Sequence, residues 1–270
     1  MSESTAPERP TSAGMYDYYL GGDAHSPIDR TAAMRIVEIL PSIADGAMAN
    51  RGFLQRAVRA LATQWGITQF LDIGAGLPTQ RNTHDVVLEA VPDGRVVYVD
   101  IDPSVVARAT GLLADVPGAV AIQGDIRQPD AILNHPQTRE LIDFSKPVGL
   151  LMVAVLHFVS DDEDPWHLVG RYLEALPSGS YLALSHSSIA GKVSDATRQE
   201  GRHIYSVVQN PPTDRSQTEI ERFFTGLEIL PPYEGAEPTI TYLGLWGAED
   251  PEQADSDGSR LGYAAVARKP

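Results

Sequence analysis

The chain reads as an α/β protein with a doubly wound, mostly parallel sheet. From residue 69 onward, short apolar runs alternate with helix-like segments. The runs are rich in Val, Leu and Ile along their whole length rather than on alternate positions, as strands covered by helices on both faces require. The intervening segments are long enough for the crossovers that parallel neighbours need.

Residues 1–12, rich in Ser, Thr, Pro and Glu, are expected to be a disordered tail. Residues 13–66 form a helical extension. It begins with an aromatic cluster, Tyr16-Asp17-Tyr18-Tyr19-Leu20-Gly21-Gly22-Asp23. Its clearest helix carries Phe53, Leu54, Ala57, Val58, Leu61, Ala62 and Trp65 at three- and four-residue spacing, and Gly66 stops it.

Strands follow at 69–73, 95–101, 119–123, 148–156 and 180–185, with helices over 83–91, 103–114, 130–143 (interrupted by Pro136) and 165–176. Asp102-Pro103 and Asp164-Pro165 are cap-then-proline starts. Later come helical stretches at 194–208 and 218–225, a strand at 227–231 and a last strand at 263–268. The acidic tract 248–260 is expected to be a mobile loop. Two terminal strands with no helix between them point to an antiparallel final strand. No repeat or linker breaks residues 67–270, which are read as one folded unit with the extension.

With 270 residues and 43% apolar content, the chain can bury one sizeable core. It has no cysteine, so disulfides and thiolate metal sites are excluded. No cationic-then-apolar leader opens it, and no apolar run approaches the roughly 20 residues of a membrane span. The expected location is cytoplasmic, with no membrane partner. A net charge of −15 makes nucleic acid a poor partner.

Ligands on such sheets bind beyond the carboxyl ends of the strands. The first strand runs through Asp72-Ile73 into Gly74-Ala75-Gly76, a turn whose glycines let backbone N–H groups approach a ligand. Asp100 ends the second strand, where an acid can accept ribose hydroxyls. Gly124-Asp125-Ile126 follows the third, placing a carboxylate for an exocyclic amine, and Val153-Ala154-Val155-Leu156-His157-Phe158 ends the fourth. A dinucleotide pyrophosphate wants a third glycine where Thr79 stands, preceded here by Pro78, and Asp72 would repel it. Asp72 suits an ammonium instead. The cofactor that matches is S-adenosylmethionine, which carries an ammonium, a sulfonium, a ribose and an adenine, and no phosphate.

These residues resemble class I S-adenosylmethionine-dependent methyltransferases. Phe70 to Gly76 is similar to their first motif, Asp100 to their second-strand acid, Gly124-Asp125-Ile126 to their adenine-side motif, and Leu176 to Leu182 to their turn into the fifth strand. A narrower resemblance spans nearly the whole chain. Tyr16 to Gly22, Ala49 to Leu54, Asp72 to Thr79, Val153 to Phe158 and Ala267 to Pro270 look like the "S-adenosyl methyltransferase" family, formerly a domain of unknown function. The resemblance implies a Rossmann-like seven-stranded sheet and cofactor binding, with S-adenosylhomocysteine as product, but no particular acceptor. The expected cofactor site comprises Tyr16, Tyr19, Asp72, Gly74, Ala75, Gly76, Asp100, Ile101, Asp125, Ile126, Val153 and Ala154. The sequence departs from the broad class at Leu77-Pro78 and at Pro147-Val148-Gly149, where an acid often stands.

Methyl transfer needs positioning and, for a protonated nucleophile, a base. His157 is the candidate catalytic base, with a core role as its alternative, and His186 is the reserve. Tyr16, Tyr18 and Tyr19 either fold over the cofactor as a lid hinged at Gly21-Gly22 or pack the extension on the sheet. Asn50 and Arg51 either reach the pocket, toward a carboxylate, or pair on the helix surface. The run Asp161-Asp162-Glu163-Asp164 reads as a helix start rather than a metal site, so no metal is expected. The expected activity is methyl transfer to a small molecule. The alternative is a catalytically weak cofactor-binding regulator or partner protein, and a nicotinamide-dependent dehydrogenase is disfavoured by Pro78 and Thr79.

Overall fold

The computed structural model describes residues 9–77, 81–189, 192–208 and 211–270. Pro78 and Thr79, on which the dinucleotide was disfavoured, lie outside the described residues, as do residues 1–8 of the expected tail. Thr11 already caps the first helix, its Oγ1 accepting from the Gly14 N–H at 3.1 Å.

Three helices come first: α1 (Ser12–Tyr19), α2 (Pro27–Ile39) and α3 (Ile43–Gln64). The alternating part follows with β1 (Gln69–Ile73), α4 (Thr83–Ala90), β2 (Arg95–Asp100), α5 (Pro103–Leu112), β3 (Ala119–Gln123), α6 (Pro129–Leu133), α7 (Pro136–Leu141), β4 (Gly149–Val153), α8 (Pro165–Glu174) and β5 (Tyr181–Ser187). The chain ends with α9 (Asp195–Tyr205), α10 (Gln217–Glu221), β6 (Glu228–Ile229), β7 (Thr241–Tyr242), α11 (Pro251–Ala254) and β8 (Gly262–Arg268).

Seven strands lie in the order β3-β2-β1-β4-β5-β8-β6, and the two-residue β7 pairs with β8 beside this path. The first five are parallel, and β8 runs antiparallel to both β5 and β6. The strand order reverses at β1, which pairs with β2 on one side and β4 on the other. That reversal opens the crevice where ligands bind in such sheets.

Successive strand residues feed opposite layers. Leu71, Ile73, Val97, Val99 and Ile122 pack with Ile132, Leu168, Val169 and Tyr172 of α6 and α8. Phe70, Val96, Leu151 and Val266 pack with Val86 and Val87 of α4 and with Phe53, Ala57, Val58 and Leu61 of α3. Each large side chain fully buried there contributes roughly 1.5–3 kcal/mol. Gly149, where the sequence lacks an acid, leaves room for this packing: a Cβ there would lie 2.5 Å from Phe70 Cδ1.

A third cluster is separate. Met15, Tyr19 and Leu20 of α1 and its C-cap, Ala33 and Ile36 of α2, Ala47 of α3, Ile204 of α9 and Val208 form a small core of their own. It makes a helical cap over the carboxyl edge of the sheet, and α3 runs from this cap into the layer beneath.

The fourth strand is shorter than expected. It ends at Val153, Ala154 turns to φ +55°, and Leu156–Phe158 forms a 3₁₀ turn. The acidic tract 248–260 is a built corner rather than a loose loop. Asp250 caps α11 by accepting from the Gln253 N–H at 3.1 Å, and Gly258 and Leu261 pack on Asp45 and Gly46 at the start of α3.

Candidate functional site: a capped cavity at the strand ends

A cavity of about 850 Å³ lies between the carboxyl ends of β1–β4 and the cap. All twelve residues expected to meet the cofactor line it, as does His157. The volume is at the upper end of the ~300–1,000 Å³ typical of small-molecule sites.

The glycine turn works differently from the sequence expectation. Gly74 and Gly76 adopt φ +72° and +66°, which require glycine or strain. Yet the turn's N–H groups do not point to a ligand. Those of Gly74 and Ala75 both donate to Val99 O, at 2.8 and 3.1 Å, and that of Gly76 donates to Asp100 Oδ2 at 2.8 Å. The turn is therefore no anion cradle, and a pyrophosphate would find no donors in it. A Cβ on Gly76 would have no atom of the described residues within 4 Å beyond its chain neighbours.

The acids differ in their settings. Asp72 is buried and accepts from Thr83 Oγ1 at 2.6 Å. Burial pushes its carboxyl up to about 6, opposed by the Thr83 hydrogen bond and the Arg51 guanidinium. Asp100 accepts from the N–H groups of Gly76 and Asp102, and burial raises its pKa too. Its carboxylate thus ties β2 to the glycine turn and keeps lone pairs for a ligand. Asp125 is more open and accepts from Arg127 N and Nη1 at 3.0 and 3.2 Å. Ile101 is 44% exposed at the cavity wall, an unusual position for an apolar side chain, and Ile126 lies at the same end.

Asn50 and Arg51 both reach the cavity, in different ways. Asn50 is the centre of a buried chain: its Nδ2 donates to Tyr16 Oη at 2.8 Å, and its Oδ1 accepts from Ser185 Oγ at 2.6 Å. Tyr16 Oη in turn donates to Ala47 O at 3.1 Å, and Ser185 Oγ accepts from the Ala154 N–H at 3.0 Å. Arg51 lies over the Tyr16 ring, 5.9 Å from its centroid, and its buried Nε has no hydrogen-bond partner among the described residues. It is a cation whose charge lowers the pKa of Asp72 against the effect of burial.

The α1 tyrosines both pack and line the cavity. The expected Gly21-Gly22 hinge is pinned, because Asp17 Oδ2 accepts from the N–H groups of Ala24 and His25 and from His25 Nδ1. A Cβ on Gly22 would overlap the Asp17 carboxylate.

His157 sits in the 3₁₀ turn after β4, its ring 4.2 Å from that of Phe158 and 5.5 Å from that of His186. Its buried Nδ1 has no hydrogen-bond partner among the described residues, and burial lowers its pKa well below the usual imidazole range. The ring is neutral at pH 7. His186 does not serve as a reserve base. It is fully buried, its Nδ1 donates to Ser187 O at 2.6 Å, and its Nε2 accepts from Arg215 Nη1 at 2.8 Å. Burial lowers its pKa to about 4.

Arg215 is a residue that sequence reasoning missed. Fully buried, it donates to Leu156 O, Val159 O and Asp161 Oδ1 as well as to His186, and so clamps the turn that carries His157. The acidic run is spent on such structure. Asp161 pairs with Arg215, Glu163 pairs with Arg127, and Asp164 caps α8. No group of metal-ligating residues occurs among the described residues. The other omission is α9, whose Thr197, Arg198, Gly201, Arg202 and Tyr205 line the cavity from the cap side.

A parallel sheet with this strand order, an antiparallel last long strand and strand-end acids without an anion cradle defines a Rossmann-like fold of the methyltransferase type. The family model described as S-adenosyl methyltransferase matches residues 1–270, and the chain belongs to that family. The chain is 39% identical to a protein of Thermobifida fusca YX provisionally named a methyltransferase, over 97% of this chain and 95% of that one, with a TM-score of 0.87. It is 38% identical to a DUF574 family protein of Streptomyces avermitilis MA-4680, over 97% and 98% of the two chains, with a TM-score of 0.88. Human N-acetylserotonin methyltransferase in complex with SAM shares the fold at 17% identity and a TM-score of 0.50, over 97% of this chain and 63% of that one. No curated protein matches the chain. No helix of the described residues is long and apolar enough to cross a membrane.

Proposed function

We propose that the protein is an S-adenosylmethionine-dependent methyltransferase acting on a small molecule held between the strand ends and the cap. One observation carries this reading: Asp72 and Arg51, whose Nε has no hydrogen-bond partner among the described residues, present opposite charges in one cavity wall, matching the ammonium and carboxylate of an amino acid. The spent N–H groups of the glycine turn fit a cofactor with no phosphate.

In this reading Asp72 holds the ammonium and Arg51 the carboxylate. Asp100 accepts the ribose hydroxyls, Ile101 and Ile126 flank the adenine, and Asp125 accepts from its exocyclic amine. Tyr16, Tyr19, Val153 and Ala154 complete the enclosure and exclude water. When bound, the cofactor supplies an electrophilic methyl on a sulfonium. His157, neutral and on the cavity wall, receives the proton of the acceptor. The desolvation that keeps it neutral also makes it a weak base. That supports an acceptor group that ionises readily, and it is also the observation favouring the second reading, a cofactor-binding regulator with little turnover. The lack of cysteine supports a cytoplasmic setting, and the charge of −15 supports a small-molecule acceptor over nucleic acid.

Calorimetric titration tests the cofactor: S-adenosylhomocysteine is expected to bind and NAD is not, and the reverse would overturn the proposal. Arg51→Met should weaken S-adenosylhomocysteine at least tenfold. Incubation of cell extract with methyl-labelled cofactor, with and without the protein, then separates enzyme from regulator by the appearance of a labelled small molecule.

A further inference from the structure

The cap side of the cavity has a chemistry of its own. Ile36, Ile39, Leu40 and Ile43, with Pro211 and Pro212, make an apolar roof. One face of α9 completes it, and positions 198 and 202, a helical turn apart, bring two guanidinium groups to the same side. Arg198 Nε is buried without a hydrogen-bond partner among the described residues. The carboxylate paired with Arg198 among the described residues is that of Asp195, whose side chain is 95% exposed, so the pair is screened by water. Among the described residues Arg202 has no ion-pair partner. Of the acids that line the cavity from the cap side, Asp214 accepts from the Ile189 N–H, and Asp17 Oδ2 accepts from the Ala24 and His25 N–H groups and from His25 Nδ1. Burial raises the pKa of Tyr19 and of Tyr205, so both stay uncharged. In a chain of net charge −15, two arginines on one side of an apolar cavity wall, Arg198 with a buried unpartnered Nε and Arg202 exposed, offer a site for an anionic ligand.

We infer that the acceptor is an apolar organic carboxylate, its body against Ile36, Ile39 and Pro212 and its carboxylate on Arg198 and Arg202. This rests on the reading of the cavity as a methyl-transfer site. A guanidinium fork matches a carboxylate in two parallel hydrogen bonds. A phosphate ester would also meet arginines, but its second charge is disfavoured by the apolar roof and by the Asp214 carboxylate in the same cavity lining.

The test uses the full chain saturated with S-adenosylhomocysteine and three probes: indole-3-acetate, its neutral analogue indole-3-acetamide, and phenyl phosphate. Affinities are read by ligand-observed NMR and calorimetry. Indole-3-acetate should bind at least tenfold more tightly than the amide, and the paired substitution Arg198→Gln with Arg202→Gln should erase that preference. The preference should survive in Arg171→Gln, a surface control. Equal binding of acid and amide, no binding of the acid at millimolar concentration, a preference that persists in the double variant, or tighter binding of phenyl phosphate would each overturn the inference. Failure of S-adenosylhomocysteine to bind in the same samples would instead overturn the methyl-transfer reading. Both substituted side chains reach solvent, and a thermal melt confirms that the variant folds.

Discussion

Asp72 is expected to cost the ligand-free protein stability, and its replacement by Asn should reveal how much. The carboxyl is buried, and its pKa rises from 3.8 in the unfolded chain to about 6 in the folded one. The folded state therefore holds its proton more tightly than the unfolded state. The stability contributed is fully present below pH 4 and is lost as the pH rises through 6. A shift of about two units corresponds to roughly 3 kcal/mol, so at pH 7.5 the ionised Asp72 destabilises the fold by up to that amount. Asn keeps a carbonyl oxygen to accept from Thr83 and carries no charge. Its amide hydrogens need new partners, which offsets part of the gain. Urea unfolding of both proteins at pH 7.5, 6 and 4.5 is the assay. Asp72→Asn should be the more stable at pH 7.5, the gap should close toward pH 4, and binding of S-adenosylhomocysteine should fall at least a hundredfold. Taking the difference between the two proteins cancels the buried histidines, whose lowered pKa values make stability fall with acid in both. A variant less stable than the parent at pH 7.5, or a gap independent of pH, would refute the argument. So would undiminished cofactor affinity, because Asp72 would then be an ordinary core carboxylate.

Three further outcomes follow from the geometry. Gly76→Ala meets no atom of the described residues but is held at φ +66°, so it should cost about 1–2 kcal/mol from backbone strain and place a methyl in the cavity, weakening S-adenosylhomocysteine at least tenfold by calorimetry. Arg215→Lys cannot reach Leu156 O, Val159 O, Asp161 and His186 together, and the stranded buried groups should lower stability by about 2–4 kcal/mol in urea. His157→Gln should leave cofactor affinity within threefold and reduce turnover by roughly 10²–10⁴. In the parent, the acidic limb of the rate profile should lie below pH 6.5, because burial keeps this ring neutral.

The sheet was legible in the sequence because its signal is local. Continuous Val/Leu/Ile runs such as Arg95–Asp100 mark strands buried on both faces, and Asp102-Pro103 announces its helix without reference to anything distant. The strand-end acids were legible for the same reason, since topology puts every strand end on one edge. What escaped was set by pairings far apart in the chain. The commitment of the glycine-turn N–H groups to Val99 O depends on how β1 and β2 twist past each other, which no motif encodes. Arg215 lies in an irregular segment, and its four acceptors come from the 156–161 turn and from β5. Helix α9 was visible as a helix but not as part of the site. With Ile204 its one fully buried apolar side chain, nothing in its pattern says that it closes over α2.

The same distinction bears on what the cap does. Its tyrosine segment is more than a cover, because the buried chain from Tyr16 through Asn50 and Ser185 ends on the Ala154 amide. Ala154 holds φ +55°, a conformation costing a non-glycine residue about 1–2 kcal/mol unless its surroundings enforce it. Two hydrogen bonds enforce it here, from the Ala154 N–H to Ser185 O and to Ser185 Oγ. Asn50 fixes that hydroxyl, and the Tyr16 phenol accepts from the Asn50 amide. The backbone that ends β4 and leads into His157 is therefore shaped from α1, across α3 and β5. A disturbance of the N-terminal helix reaches the cavity through backbone geometry as well as through solvent access. The carboxyl edge and its cap make one site because neither half is complete in hydrogen bonds without the other.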